Sequence, residues 1–328
     1  MKALHRYFGI LLTTAVALAA GVGPVQAQNY PDKTIHFVVP WPPGGAADMM
    51  ARLIGEGIAK ELGQSVVVEN KPGAGGLIGT EAVARSAPDG YTLVLGSTGP
   101  NSIAGSLYRN LRYDPAKDLA GVTQITELPL LLIVNASLPV NSVGELIDYA
   151  KKNPGKLNFG SVGAGTAQHL TSEIFKAKAG LDMVHVPYKG SAPAFTGLVG
   201  GEVQMLFDNI PASQAMIKAG KVKAIAISSR SRSPALPDVP TVAESGLPGF
   251  HVVAWQNVAV PAGTPPAIVQ RLNREIVKFI NTDAMRKRLT DMGANVVGNT
   301  PEQEAQRIRD EVAQWGAAVA AAGVKLDY

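Results

Sequence analysis

Short apolar segments alternate with longer amphipathic ones along most of this chain. The short segments are rich in β-branched residues and read as buried strands. They lie at residues 35–39, 65–69, 92–95, 130–134, 157–159, 183–186, 203–207 and 222–227. Between most of them, as from Met50 to Leu62, apolar residues recur every three or four positions, which predicts helices packed on a sheet. The alternation predicts an α/β fold with largely parallel sheets.

Capping residues mark the ends of two predicted helices. Ser142 stands three residues before Glu145, which predicts a capped helix start, and the sequence NPG at residues 153–155 predicts its end. The sequence TPEQ at residues 300–303 predicts the start of a long C-terminal helix that Gly323 closes.

Three glycine-rich turns separate predicted strands from the helices that follow. They are PPGGAAD at residues 42–48, PGAGG at 72–76 and GSVGAGT at 160–166. Glycine lets the backbone approach a ligand closely, and the first amides of a helix have no partners within it. Each junction can therefore donate N–H groups to an anion. The pattern alone fits a phosphate, a nucleotide or a carboxylate.

Length and composition indicate a globular, exported chain. Its 328 residues, 46% hydrophobic and 17% charged, are enough for about two domains. At the N-terminus Lys2 and Arg6 precede an uncharged stretch, and VQA at residues 25–27 matches a signal-peptidase site. We expect residues 1–27 to be a signal peptide cleaved after Ala27, and the protein to be periplasmic. An uncleaved anchor is the alternative, but the stretch is shorter than the roughly 20 apolar residues of a bilayer span.

Charge and cysteine content exclude several classes of protein. The formal net charge is only +4, including Lys2 and Arg6, and the remaining basic residues are scattered without interleaved aromatics. Nucleic acid is therefore not an expected partner. The chain has no cysteine, which rules out disulfides, cysteine nucleophiles and a lipid-modified cysteine anchor.

Motifs typical of catalysis or cofactor binding are weak in this sequence. No H-E-x-x-H pair, G-x-S-x-G elbow or Walker lysine occurs. The sequence GAGGLIG at residues 73–79 is a variant of the dinucleotide-binding pattern, but the next predicted strand is not followed by the acidic residue that binds ribose. We expect no metal, no cofactor and no enzymatic activity.

Ordered motifs across nearly the whole chain carry a family resemblance. They are VVPWPPGGAAD at residues 38–48, VENKPGAGG at 68–76, PDGYT at 88–92, GSVGAGT at 160–166, VPYKG at 186–190, LPDVPT at 236–241 and PAGTP at 261–265. In this order they resemble the Bug-type solute receptors, the extracytoplasmic substrate-binding proteins of tripartite tricarboxylate transporters.

The resemblance implies a type II periplasmic-binding-protein-like fold, in which two α/β domains enclose a ligand cleft. We place domain 1 at residues 28–127 plus 250–328 and domain 2 at 128–249, with crossings near residues 121–129 and in the proline-rich loop 233–249. The implied function is capture of a small mono- or dicarboxylate and its delivery to a membrane permease. A periplasmic sensor component that signals to a membrane kinase is the alternative. A monomer is expected.

In this family the carboxylate is typically held by backbone amides and ordered water. A helix N-terminus carries roughly half a positive charge, so the amides of Gly45, Ala46 and Ala47 can satisfy a carboxylate. Some candidate side chains also have structural explanations, since Asp48 can stabilise its helix and His169 can order its own loop. The candidate ligand-binding residues are Trp41, Gly44, Gly45, Ala46, Ala47, Asp48, Gly75, Gly76, Ser97, Ser161, Gly163, Gly165, Thr166, His169, Tyr188, Lys189, Asp208 and Asn209.

Overall fold

The computed structural model of the chain describes residues 30–44, 46–291 and 293–327. The predicted signal peptide and the predicted site residue Gly45 lie outside the described residues, and of Ala46 only the backbone is described. The described residues from Lys33 onward form one compact unit, to which every element named below belongs. Within the described chain, no helix combines the length and apolar character needed to cross a membrane.

Strands and helices alternate along most of the described chain. The strands are β1 (Ile35–Val39), β2 (Val66–Asn70), β3 (Thr92–Ser97), β4 (Leu119–Asn135), β5 (Leu157–Ser161), β6 (Met183–Pro187), β7 (Met205–Asn209), β8 (Val222–Ile227), β9 (Val253–Pro261) and β10 (Asn295–Val296). The helices are α1 (Ala46–Leu62), α2 (Leu77–Ala84), α3 (Ala104–Leu107), α4 (Val143–Lys152), α5 (Ala167–Ala179), α6 (Ser191–Gly200), α7 (Ile210–Lys218), α8 (Pro266–Ile280), α9 (Asp283–Asp291) and α10 (Pro301–Ala322). A 3₁₀ turn precedes α2 and a π-helical turn precedes α3.

One long strand joins two groups of strands into a mixed sheet. The order is β2-β1-β3-β9-β4-β7-β5-β6, with β8 and β10 also paired to β4. Strand β1 is parallel to β2 and β3, and β5 is parallel to β6 and β7. Strand β4 is antiparallel to β9 over residues 119–129 and antiparallel to β7 and β8 over residues 130–135. The partners of β4 therefore change between Pro129 and Leu130.

The apolar spacing seen in the sequence produces the buried faces of the helices. In α1 it places Ala51, Ile54 and Ile58 on one fully buried face. Around the second group of strands, the rings of Phe175 and Phe207 meet edge to face at 5.8 Å. Burial of each such side chain contributes roughly 1.5–3 kcal/mol to folding.

All eight predicted strands are present: seven have ends within two residues of the prediction, and the predicted strand 130–134 is the second part of the longer β4. Both predicted helix starts are also confirmed: the Ser142 hydroxyl accepts from the Glu145 amide, and Thr300 and Gln303 form a reciprocal capping box. Gly323 closes α10 with a left-handed conformation.

Strand β9 and the first part of β4 were not predicted, because polar residues interrupt their apolar pattern. Thr123 and Asn257 are nevertheless buried. The Thr123 hydroxyl donates to the Asn299 carbonyl, and Asn257 Nδ2 donates to Glu304 at 2.7 Å. These polar side chains are tolerated in central strands because α10 and the residue before its cap supply their hydrogen-bond partners.

Candidate ligand-binding site

The pairing directions of the strands make two sets of carboxyl ends face each other. Strand β3 is antiparallel to β9, which is antiparallel to β4, so β1, β2 and β3 run in the same direction as β4. Strands β5, β6 and β7 run in the opposite direction, because β7 is antiparallel to β4. The carboxyl ends of β1, β2 and β3 therefore point toward residues 130–135 of β4, beside which β7 lies. The carboxyl ends of β5, β6 and β7 point toward residues 119–129 of β4, beside which β9 lies.

We call these two faces the first edge and the second edge. The first edge comprises residues 40–44, 46–48, 71–77 and 97–99, at the ends of β1, β2 and β3 and the starts of the segments that follow them. The second edge comprises residues 161–169, 187–191 and 208–210, at the ends of β5, β6 and β7 and the starts of the following helices. All the predicted site residues that the structure describes lie on one edge or the other, in the cleft position typical of α/β ligand sites.

Asp48 organises the loop that leads into α1. Its Oδ2 accepts from the Gly44 amide at 2.9 Å and from Arg52 Nε at 3.0 Å, while its Oδ1 accepts from Arg52 Nη2 at 2.9 Å. Asn70 Nδ2 donates to the same Oδ1 and to the Trp41 carbonyl, both at 3.0 Å. The Arg52 hydrogen bonds, followed by the Gly44 amide and Asn70, lower the pKa of Asp48 to about 2. Both carboxylate oxygens thus bond within the chain and fix the loop.

Glycines let the other segments of the first edge pack closely. A Cβ on Gly76 would lie 3.2 Å from Cζ2 of Trp41, so the indole lies against this turn. Gly75 and Gly76 have φ of 65° and 96°, which favours glycine. A Cβ on Gly79 would lie 2.7 Å from the Lys71 carbonyl oxygen. Ser97 ends β3, beside Gln256 of β9.

The loop that begins the second edge is held by its own hydroxyl groups. The Gly163 amide donates to Ser161 Oγ at 3.2 Å, and Thr166 Oγ1 donates to the Gly163 carbonyl at 2.8 Å. Thr166 also caps α5 by accepting from the His169 amide. The amide of Ala164 makes no hydrogen bond within the described part of the chain. The loop can therefore offer this amide to a ligand.

Two imidazoles, the buried His169 and the half-buried His185, contact this loop. His169 Nδ1 accepts from the Gly165 amide at 3.1 Å, and His185 Nε2 lies 2.7 Å from Ser161 Oγ. Burial, with His185 and Lys176 nearby, lowers the pKa of His169 to about 3. Burial and Lys176 lower the pKa of His185 to about 4. Both rings are neutral at physiological pH.

Asp208 and Asn209 end β7 at the base of the second edge. The Asp208 side chain is fully buried, and its Oδ1 accepts from the Asn209 amide at 2.8 Å. Burial raises the pKa of Asp208, while the side chains of Ser191 and Gln168 act in the opposite direction. Asn209 precedes α7 without capping it through its side chain.

Helix N-termini are an electrostatic feature that the two edges share. Helices α1 and α2 begin at the first edge, and α5, α6 and α7 begin at the second. Helices α2, α6 and α7 have no side-chain cap: the Leu77 amide at the start of α2 bonds the Ala74 carbonyl, whereas α6 leaves its first amides to water or a ligand. The Arg52 guanidinium bonds the Asp48 carboxylate. Among the described residues no cluster of His, Asp and Glu is arranged to hold a metal ion. The partial positive charge of a helix N-terminus favours an anion, so both edges offer neutral backbone donors suited to one.

Comparison with known proteins identifies the family. The profile of the tripartite tricarboxylate transporter family receptor, TctC, matches residues 50–324. The chain belongs to this receptor family. It is 40% identical to the protein BugT of Bordetella pertussis over 327 residues, which is 99% of each chain. The Rhodopseudomonas palustris protein Rpa4515, solved with adipate, is 37% identical, with a TM-score of 0.80 over 91% of this chain and all of its own. MatC from the same organism, solved with malate, is also 37% identical, with a TM-score of 0.76 over 88% of this chain and all of its own.

The predicted fold of this Bug-type receptor is confirmed by these likenesses. Its mixed α/β architecture, with a cleft between two groups of strands, matches that of the solved solute-binding proteins of the family.

The side chains of two predicted residues of the second edge, Tyr188 and Lys189, lie outside the hydrogen-bond network around Ser161. The Tyr188 ring lies against Gly160 and Gly197, and its hydroxyl reaches the last turn of α6. Burial and Glu202 raise the pKa of Tyr188 to about 12. Lys189 is exposed at the surface.

Several organising residues of the receptor were missed from sequence. Arg52 stands four residues after Asp48, and this spacing on a helix is a signal for an ion pair. Asn70 and His185 gave no such signal, because their partners are 22 and 24 residues away in sequence.

A separate cavity of about 380 Å³ opens elsewhere in the receptor. It lies between α8, α10 and the start of β4, and Leu119, Val269 and Ile308 are among its lining residues. It contains none of the predicted site residues.

Proposed function

We propose that this receptor binds a small mono- or dicarboxylate between its first and second edges and delivers it to a membrane permease. The observation that carries the proposal is the meeting of five helix N-termini at two facing edges, with Asp48 already bonded within the chain. A carboxylate can accept from several such amides without a cationic side chain.

The proposed ligand class rests on the amide donors of the two edges and on the ligands of two related proteins. The first edge offers the amides of Ala46 and Ala47, and the second offers that of Ala164 and those at the start of α6. Donors on both sides suit a ligand with an acceptor group at each end. Rpa4515 and MatC, solved with adipate and malate, support this class.

We further propose that the two domains are residues 28–127 plus 250–328 and residues 128–249. The change of partners of β4 between Pro129 and Leu130 supports the first crossing, and the segment between β8 and β9 provides the return. Rotation about these two connections would close the edges on the ligand.

We expect export to the periplasm with cleavage after Ala27, and a monomeric mature protein. N-terminal sequencing of the periplasmic form tests the cleavage site, and light scattering tests the monomer. Co-purification with permease subunits, as opposed to a histidine kinase, would separate transport from the sensor alternative.

Calorimetry on the mature chain, residues 28–328, tests the binding function. The protein is unfolded and refolded to remove any co-purifying ligand, then titrated with acetate, succinate, malate, adipate and benzoate. We expect saturable binding of at least one member. Absence of binding across the panel would count against a carboxylate receptor.

A pair of variants tests the amide mechanism. Ala46→Pro removes the N–H donor at the first position of α1, where proline fits the helix, while Ala46→Gly keeps the donor. Loss of a hydrogen bond to a charged group, about 1.5–3 kcal/mol, predicts at least a tenfold weaker affinity for the proline variant. The glycine variant should stay within about threefold of wild type. Equal affinities would exclude this amide as a donor.

A further inference from the structure

Two histidines stack face to face behind the loop at the start of the second edge. The ring centroids of His169, on α5, and His185, on β6, are 3.8 Å apart, with planes 18° from parallel. Phe159 extends the stack, 5.0 Å from His185. His169 is only 2% exposed. The pair is therefore part of the wall behind the loop.

Each ring holds a different part of residues 161–166. His169 Nδ1 accepts from the Gly165 amide at 3.1 Å. His185 Nε2 bonds the Ser161 hydroxyl at 2.7 Å, and that hydroxyl in turn accepts from the Gly163 amide. The two rings thus fix the glycines on both sides of Ala164, whose amide is available to a ligand.

These bonds require His169 to be neutral. The Gly165 amide can donate only to an unprotonated Nδ1, so the ring proton is on Nε2. Nε2 lies 3.8 Å from Glu173 Oε1, and Glu173 pairs with Lys176 at 2.7 Å. The charged groups facing the stack are therefore Glu173 and Lys176 of α5, while β5 contributes Phe159 and Ser161. A second positive charge beside Lys176 would be unfavourable at this depth.

We propose that His169 and His185 are positioning residues: as a neutral stacked pair they fix Gly163 and Gly165, so that the amide of Ala164 between them has the geometry that receives the ligand. This inference rests on the proposed carboxylate-binding function. Neither ring needs to touch the ligand. Protonation of His169 at Nδ1 would remove the acceptor of the Gly165 amide and release the loop.

Three variants separate positioning from general packing. His169→Phe keeps a stacked ring but removes the acceptor, whereas His169→Asn keeps an acceptor at the position of Nδ1 and cannot be protonated near neutral pH. His36→Gln is the control, because His36 lies on β1 and its ring bonds Glu69, away from both edges.

Calorimetry with adipate and with malate measures affinity at pH 7.5 and pH 4.0. At pH 7.5 we expect at least tenfold weaker binding for His169→Phe, and affinities within about threefold of wild type for His169→Asn and His36→Gln. Titration of the ligand itself cancels when variants are compared at one pH. At pH 4.0, about one unit above the pKa of His169, the ring is still about nine-tenths neutral, so the ratio of the affinities of His169→Asn and wild type should stay as it is at pH 7.5. Equal affinities of the phenylalanine and asparagine variants at pH 7.5 would overturn the proposal.

NMR of the ligand-free protein gives a second readout that does not depend on the carboxylate function. We expect an unprotonated Nδ1 in His169, and a downfield Gly165 amide proton that moves upfield in His169→Phe and not in His169→Asn. If wild type binds neither adipate nor malate, that result is evidence against the proposed ligands, and the Gly165 resonance alone decides the positioning claim. An unchanged Gly165 resonance in His169→Phe would refute it.

Discussion

The two edges present backbone amides in similar ways, but different chemistry fixes each loop. At the first edge an ionised Asp48 holds the loop, paired with an Arg52 side chain that is 50% exposed. At the second edge two neutral imidazoles and two hydroxyls do so, with His169 almost completely buried. An ion pair is tolerated where one partner remains hydrated, whereas a fully buried charge is unfavourable unless it is paired and hydrogen-bonded. The charge of Asp48, itself only 4% exposed, is thus stabilised by the half-exposed Arg52, whereas neutral groups organise the second edge.

The largest effect is expected from Gly79→Ala, which adds a methyl group where α2 packs against the loops of the first edge. The new Cβ would lie 2.7 Å from the Lys71 carbonyl oxygen and 2.9 Å from Pro40 Cα. Helix α2 must therefore move away from the loops that follow β1 and β2. Overpacking of this kind costs roughly 1–3 kcal/mol. We expect a lower melting temperature and at least tenfold weaker carboxylate binding, measured by calorimetry.

The matched control is Gly144→Ala on α4. Its Cβ would meet nothing within 4 Å, and alanine is favoured over glycine in a helix by roughly 0.5–1 kcal/mol. This variant should melt at the same or a higher temperature and bind normally. If both substitutions behaved alike, close packing at Gly79 would not support the first edge.

A smaller effect is expected from removing the charge of Asp48. Asp48→Asn retains the size of the side chain but loses the charge-assisted bonds from Arg52 and one acceptor. The loop before α1 should loosen, with affinity several-fold weaker and a modestly lower melting temperature. Asp291→Asn, which removes an exposed pair with Lys287, should change neither. Unchanged affinity in Asp48→Asn would show that the ion pair does not shape the site.

The pH dependence of the free energy of unfolding distinguishes the two edges directly. The pKa of His169 falls from 6.5 in the unfolded chain to about 3, so the unfolded chain binds the extra proton between these values. Stability should fall with pH below about 6.5, by at most about 1.4 kcal/mol per pH unit for this ring. Asp48 has a pKa of about 2, so its contribution is lost only as pH falls from about 3.8 toward 2.

Thermal unfolding between pH 7 and pH 4.5 measures this difference. The decrease should be smaller in His169→Asn than in wild type and unchanged in Asp48→Asn. If stability fell equally with pH in all three proteins, the two edges would not differ in the way described.

Local sequence patterns were sufficient for most strands and helices and for the glycine turns between them. The glycine turns mark where strands end and helices begin, and ordered motifs such as VPYKG at residues 186–190 identify the family. The direction in which the turns face depends on antiparallel pairing to β4 and β9, and β9 was not predicted because Gln256 and Asn257 interrupt its apolar pattern.

The roles of individual side chains depend on contacts that sequence spacing does not specify. His169 was a candidate for ligand contact, yet its Nδ1 accepts from Gly165, and the stacking partner His185 was not a candidate at all. Tyr188 follows β6 as expected, but its ring turns back over Gly197. Such orientations are set by packing between distant segments.

The central claim is that backbone amides of both edges receive the carboxylate. Amide proton shifts of the mature protein, followed by NMR during titration with adipate, test it most directly. We predict the largest downfield shifts at Ala46 and Ala47 on the first edge and at Ala164 on the second. Shifts confined to the cavity lined by Leu119, Val269 and Ile308, with these amides unmoved, would contradict the account.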